Sequence, residues 1–197
     1  MKSNEEEKGE EQMKRLVIGM SGASGVPIAV EILKTLRECP DWESCLIVTE
    51  GARRTIELES EYTEEQILGL ADHVYNLHDI GASIASGTFQ TEGMVVVPCS
   101  MKTVAGIHSG YSDNLLLRAA DVTLKERRKL VLVARETPLH TIHLRNMMEL
   151  SQMGAIILPP MLTFYNQPEG ISQMVEHIAA KVLDIYGIEH RRFRRWS

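Results

Sequence analysis

From Arg15 onward, short runs of consecutive apolar residues alternate with stretches of helical period. Leu16-Val17-Ile18, Cys45-Leu46-Ile47-Val48, Met94-Val95-Val96-Val97, Leu130-Val131-Leu132-Val133 and Ala155-Ile156-Ile157-Leu158 read as five strands. Helices are expected at 27–37, 51–59, 113–127, 139–152 and 170–186. Thr63-Glu64-Glu65-Gln66 has the form of a capping box that opens one more. Strands that are apolar on both faces and separated by helices belong to a parallel sheet covered on both sides. The expected fold is α/β, a doubly wound three-layer α/β/α sandwich. In such sheets ligands lie beyond the carboxyl ends of the strands, so the residues that follow each strand are the ones to read for chemistry.

Composition narrows the class. A chain of 197 residues with 44% apolar content has the means for one sizeable core, expected over 14–197. Residues 1–13 (MKSNEEEKGEEQM) are charged and aperiodic, and are expected to form a disordered acidic extension. They lack the apolar core of a signal peptide, and no stretch is long and apolar enough to span a bilayer, so a cytoplasmic protein without membrane contact is expected. A net charge of -6 argues against nucleic acid as a partner. Cys39, Cys45 and Cys99 are odd in number and form no C-x-x-C pair, which argues against a disulfide frame or a thiolate metal site.

The first strand runs into Gly19-Met20-Ser21-Gly22-Ala23-Ser24-Gly25, with Pro27 entering a helix. Glycines let a backbone approach an anion, and a helix N-terminus offers N–H groups and a favourable dipole. The hydroxyls of Ser21 and Ser24 would add donors. The alternative is a tight turn that binds nothing. The spacing is not G-x-G-x-x-G, because Ser21 takes the second glycine position, and strand two ends in Thr49 with Glu50 adjacent rather than in a clear ribose-binding acid; both favour a mononucleotide over a dinucleotide.

The third strand leads to Pro98-Cys99-Ser100-Met101-Lys102-Thr103, which groups hydroxyls, a thiol and a cation; it suits a flavin ring, or is a turn in which Ser100 or Thr103 caps a helix. The fourth leads to Arg135-Glu136-Thr137-Pro138. There Arg135 either makes a buried contact with Glu136 or holds a phosphate while Glu136 moves or stabilises charge. The fifth leads to a stiff aromatic loop, Pro159 to Pro168, in which Tyr165 is a phosphate donor and Phe164 is expected as a hydrophobic plug over the core. The run Lys125-Glu126-Arg127-Arg128-Lys129 is expected mainly as a solvated helix end. His140 and His143, three apart, have no third partner of ligand spacing and are expected at the surface or as caps. There is no G-x-S-x-G elbow, no P-loop lysine and no D-D-x-x-D run.

Taken in order, GMSGASG, VTE, ASGTF, VVVPCSMKT, LLLRAADVTLKERRKLVLVARETPLHTIHLRNM and ILPPMLTFYNQP resemble the UbiX-type flavin prenyltransferases, a group that includes the B subunits of phenolic-acid decarboxylases. The likeness runs from Lys14 to Trp196. It implies a Rossmann-like or flavodoxin-like fold, a large homo-oligomer (a dodecamer) and a metal-independent reaction. Reduced FMN would attack dimethylallyl monophosphate through N5, phosphate would leave, and a second bond to C6 would close a fourth ring. The prenylated FMN would serve a UbiD-type decarboxylase. By motif position the resemblance places Gly22, Ala23, Ser24, Thr49, Ser100, Met101, Lys102, Thr103 and Arg118 at FMN. It places Lys125, Arg135, Glu136, Tyr165 and Lys181 at the prenyl phosphate, and makes Glu59, Glu136 and Ser24 catalytic. Lys181 stands where many relatives carry arginine, so a bidentate grip becomes a point charge. Leu162 replaces a proline common in that loop.

Physical chemistry agrees with such roles. A phosphate monoester carries about -1.5 to -2 charge near neutral pH. Without a metal, Lys125, Arg135, Lys181 and Tyr165 must balance it as the ester bond breaks. Two rival readings remain on the sequence: a cysteine decarboxylase of the same fold, which would need a catalytic histidine and a P-A-S-A-N-T loop where this chain has PCSMKT, and a non-catalytic flavin carrier, which would have no need of Glu136 and Lys125.

Overall fold

The computed structural model describes residues 13–190. All of the acidic extension except Met13 lies outside the described residues. Six strands form one parallel sheet in the order β3-β2-β1-β4-β5-β6. They are β1 (Lys14–Met20), β2 (Trp42–Val48), β3 (His73–Tyr75), β4 (Gly93–Cys99), β5 (Lys129–Ala134) and β6 (Ile156–Ile157). Seven helices connect or follow them: α1 (Val26–Arg37), α2 (Glu50–Glu59), α3 (Glu64–Leu68), α4 (Met101–His108), α5 (Leu115–Lys125), α6 (Thr141–Gln152) and α7 (Ile171–Ile185). The three-layer sandwich is as expected. The sequence reading lacked β3, whose three residues are too few to show alternation, and α4, whose start lay inside the loop read after β4.

The two faces carry separate cores. Side chains of α1, α2 and α7 pack with Leu16, Ile18, Leu46, Val95 and Val131. Those of α4, α5 and α6 pack with Val17, Ile47, Met94, Val96 and Leu132. Successive residues of the four inner strands feed opposite faces, which is why β1, β2, β4 and β5 each contain a continuous apolar run. All seven residues of β4 are buried.

The chain order reverses between β1 and β4, which places the crevice of the sheet there. Four helix starts at that carboxyl edge are capped by side chains. Thr49 accepts from Ala52 N–H, Ser100 from Thr103 N–H, Asn114 from Leu117 N–H and His140 from His143 N–H. The capping box at Thr63 and Gln66 is present as read. His140 also stacks on His143, with ring centroids 3.5 Å apart, as fits a capping pair.

Candidate functional site

The turn after β1 crosses the start of α2 at van der Waals distance. A Cβ on Gly22 would lie 2.9 Å from the backbone Cα and C of Gly51, so this crossing requires glycine for space. Ser21 fastens the turn to the end of β4: its hydroxyl donates to Pro98 O (3.0 Å) and accepts from Ser100 N–H (2.8 Å). Ser21 is buried, so its hydroxyl is a structural tie and not the ligand donor expected from the sequence. The start of α1 is also already served. Glu59, at the end of α2, accepts from Gly25 N–H (2.8 Å) and Val26 N–H (3.1 Å). The first-turn amides read as an anion site thus hold an internal carboxylate, which fixes Glu59 beside the turn.

Between this crossing, α4, α5 and α6 lies a cavity of about 720 Å³, within the range of small-molecule sites. Gly22, Thr49, Ser100, Lys102 and Thr103 line it, five of the nine residues assigned to the cofactor. The N-termini of α2, α4 and α5 converge on it, and Lys102 and Arg145 bring positive charge. Leu77, Leu116 and Leu117 supply apolar wall. Asn146, buried on the same wall, has a side-chain oxygen without a hydrogen-bond partner among the described residues. Anion-favouring helix starts, an apolar wall and an unspent amide fit a flavin mononucleotide. Asn114, Arg145 and Asn146 were not singled out in the sequence; helical period placed them on α5 and α6 but not on the cavity side.

Other assigned residues fall elsewhere. Ala23 and Ser24 continue the turn beyond the cavity wall, half-buried. The Met101 side chain joins the core under α4, and Met101 does not line the cavity. Cys99 is also in that core, and burial pushes its thiol pKa up, so the thiol is not presented to a ring as the sequence had allowed. Arg135 and Glu136 are both exposed at the carboxyl edge, with no ion pair between them among the described residues; Glu136 instead accepts from Thr137 N–H. Their expected alternative, a buried pair, is excluded.

The four groups that the resemblance assigns to the prenyl phosphate, Lys125, Arg135, Tyr165 and Lys181, are not brought together by one copy of the chain. Lys125 ends α5, beside Glu126 and Gly87, at the amino end of β5; Arg135 follows the carboxyl end of that strand. Arg128 clamps the neighbouring loop by donating to Gly87 O and Phe89 O. Arg118 sits on the outer side of α5, paired with Asp121 at 2.7 Å. Tyr165 and Lys181 lie at α7, on the opposite face of the sheet from α5. Phe164 is 68% exposed rather than plugging the core, because its loop turns outward. Met161 and Leu162 beside it, and Ile142, Leu144 and Met148 on α6, are exposed as well. Among the described residues no cluster of three His, Cys, Asp or Glu side chains is placed to hold a metal ion, and no helix is long and apolar enough to cross a membrane.

The sequence profile of the flavoprotein family matches residues 4–186. A probable UbiX-like flavin prenyltransferase of Escherichia coli O157:H7 is 53% identical over 183 residues, which is 93% of each chain. The flavin prenyltransferase LpdB of Lactiplantibacillus plantarum is 51% identical over 94% of this chain and 99% of its own. Among solved structures, a dodecameric FMN-dependent UbiX-like decarboxylase from Escherichia coli O157:H7 superposes with a TM-score of 0.91 at 53% identity, covering 93% of this chain and 99% of that one. AnUbiX (PadA1), solved with FMN and dimethylallyl pyrophosphate, gives 0.91 at 44% identity over 93% and 97%.

Proposed function

Because this chain belongs to the flavoprotein family as a UbiX-like flavin prenyltransferase, we propose that its carboxyl-edge cavity takes reduced FMN and that a dimethylallyl group is joined to it there. The observation that carries the placement is the convergence of three helix N-termini, Lys102 and an apolar wall on one cavity. When bound, reduced FMN supplies a nucleophilic N5 and the C6 position that receive the dimethylallyl carbons.

The protein's own part is to hold the donor and to stabilise the leaving phosphate. Arg135 and Glu136 stand at the same sheet edge as the cavity, exposed and ready to meet a second ligand. Arg135 takes the phosphate, and Glu136 orients it and accepts a proton from C6 as the last ring closes. Glu59, fixed by two backbone amides, keeps a carboxylate next to the Gly22–Ser24 turn. Ser24 spans flavin and phosphate.

Lys125, Arg118, Tyr165 and Lys181 reach such a site from neighbouring copies. Lys125 and Lys181 lie on opposite faces of the sheet, so a single copy cannot close both on one phosphate. The exposed apolar side chains of α6 and of the loop after β6 are the surface a second copy would cover. Assembly as a dodecamer, like that of the related structure, accounts for both facts. The cations and the tyrosine hydroxyl then do the charge balancing without a metal. We place the protein in the cytoplasm, supplying prenylated FMN to a UbiD-type decarboxylase.

An anaerobic incubation of protein, reduced FMN and dimethylallyl monophosphate tests the reading by flavin mass. A flavin heavier by one dimethylallyl unit is expected. Bound FMN of unchanged mass, with either the monophosphate or the diphosphate as donor, would identify a flavin carrier instead.

A further inference from the structure

The buried face of α7 is apolar, Ile178, Ala179, Ala180, Val182 and Leu183, with one exception: His177, which is 7% exposed. Burying an imidazole in such a stripe is unfavourable unless its nitrogens find partners, and an aliphatic side chain would fill the space without that demand. His177 Nε2 lies 3.4 Å from the hydroxyl of Tyr165, and the two rings meet edge to face at 5.8 Å and 82°. Lys181 stands one turn further along the same helix face. Desolvation, with Lys181 adding to it, moves the pKa of His177 below its ordinary value, so the ring is held neutral.

Hydrogen bonds within the loop that carries Tyr165 are local. Those from Thr163 to Asn166, Gln167 to Phe164 and Met161 to Pro159 all close within three residues. The contact from Tyr165 to His177 reaches twelve residues on, to a helix that is itself packed against α1. A neutral imidazole can donate one N–H. With that N–H on the phenolic oxygen, the tyrosine hydroxyl keeps its own proton to donate, beside the helix turn that carries Lys181.

We propose that His177 is a positioning residue of the prenyl-phosphate site, holding the Tyr165 hydroxyl beside the Lys181 ammonium so that the two form a preset cradle for a phosphate ester. The inference rests on the reading of Tyr165 and Lys181 as phosphate ligands. His177 touches neither flavin nor phosphate; it acts through the tyrosine that does.

The test uses the full-length assembled protein with reduced FMN saturating and dimethylallyl monophosphate varied. His177→Phe keeps an aromatic ring and removes the hydrogen bond. It is expected to raise KM for the ester about five- to tenfold, the scale of one net hydrogen bond, while FMN affinity stays unchanged. His177→Gln, which restores a donor and an acceptor, is expected to return KM to within about threefold of the native value. Tyr165→Phe should impair at least as much, and the double variant Tyr165→Phe/His177→Phe should be no worse than Tyr165→Phe alone. If phenylalanine prevents assembly, leucine is read in its place. A His177→Phe or His177→Leu protein with native KM, beside an impaired Tyr165→Phe, overturns the role of His177 alone. So does a Gln variant as impaired as Phe. Native kinetics in both Tyr165→Phe and Lys181→Met would instead remove the phosphate reading beneath it.

Discussion

Two inactive copies of this chain should together make an active site. Lys125 and Arg135 bracket β5, a strand of six residues. At about 3.3 Å per residue they stand about 20 Å apart, too far to grip one phosphate. If both serve the same site, Lys125 must come from a different copy. In a preorganised electrostatic site one donor is worth roughly 2.7–4 kcal/mol, so Lys125→Ala and Arg135→Ala should each slow the reaction by about 10²–10³. Joined at equal ratio in one oligomer, each site draws its Lys125 and its Arg135 independently. About a quarter of the sites then hold both native residues, a quarter neither and half only one. The mixed oligomer should therefore run at about 25% of native activity although both parents run at or below about 1%. The assay is co-expression with two affinity tags, tandem purification, and anaerobic formation of the heavier flavin over time. Were both residues to act within one copy, no site in the mixture would be complete. A mixed oligomer as slow as its parents would refute the shared site.

The glycine crossing and the internal caps give further expectations. Gly22→Ala forces a Cβ against the Gly51 backbone, and should lower stability by about 1–3 kcal/mol and weaken FMN binding. Gly51→Ala, whose Cβ would meet Gly22 Cα at 3.2 Å, should be milder in both thermal melting and flavin titration. Glu59→Ala removes two acceptor contacts at the start of α1 and should cost about 1 kcal/mol, whereas Glu59→Gln keeps an acceptor and should lose only about 0.3–1 kcal/mol. A slow but thermally near-native Glu59→Gln would assign the carboxylate to chemistry, and native rates in it would leave Glu59 as a cap. Glu136→Gln should bind FMN normally and form the adduct slowly; equal rates would take Glu136 out of the reaction. Burial lifts the Cys45 thiol from its ordinary 9.0 to about 11. A raised folded-state pKa stabilises below the unfolded value and is lost as pH climbs to the folded one, so stability should fall by up to about 3 kcal/mol between pH 9 and 11. Buried Tyr186, also raised, adds a loss of the same sign. A melting temperature flat across that range would contradict this linkage.

What the sequence displayed was whatever one strand and its following turn decide. Continuous apolar runs showed the parallel sheet because the inner strands β1, β2, β4 and β5 are buried on both faces over those runs. The sheet rule then led directly to Gly22, Thr49 and Ser100, since a parallel strand delivers its next residues to one edge. What it withheld depends on which way a side chain turns once its element is in place. Ser21 and Ser24 are alike as letters, yet Ser21 lies under the Pro98 backbone and is spent on it. Cys99 and Met101 flank Ser100, but strand alternation and helical period send both into the core. Glu59 is far in sequence from the helix it caps.

The separation of Lys125 from Arg135 is the most instructive case, because it follows from the sheet rule itself. A helix leaving the carboxyl edge must run back to the amino edge before the next strand can begin. A cation on the last turn of α5 is thereby carried away from the site to which motif order assigns it. Only a neighbouring copy, presenting the amino end of its own sheet, can return that charge. The exposed leucines, methionines and phenylalanine on α6 and the loop after β6 are the apolar surface such a neighbour would bury. On this reading assembly and catalysis share one cause: a phosphate that needs cations from both ends of a parallel sheet cannot be served by a monomer.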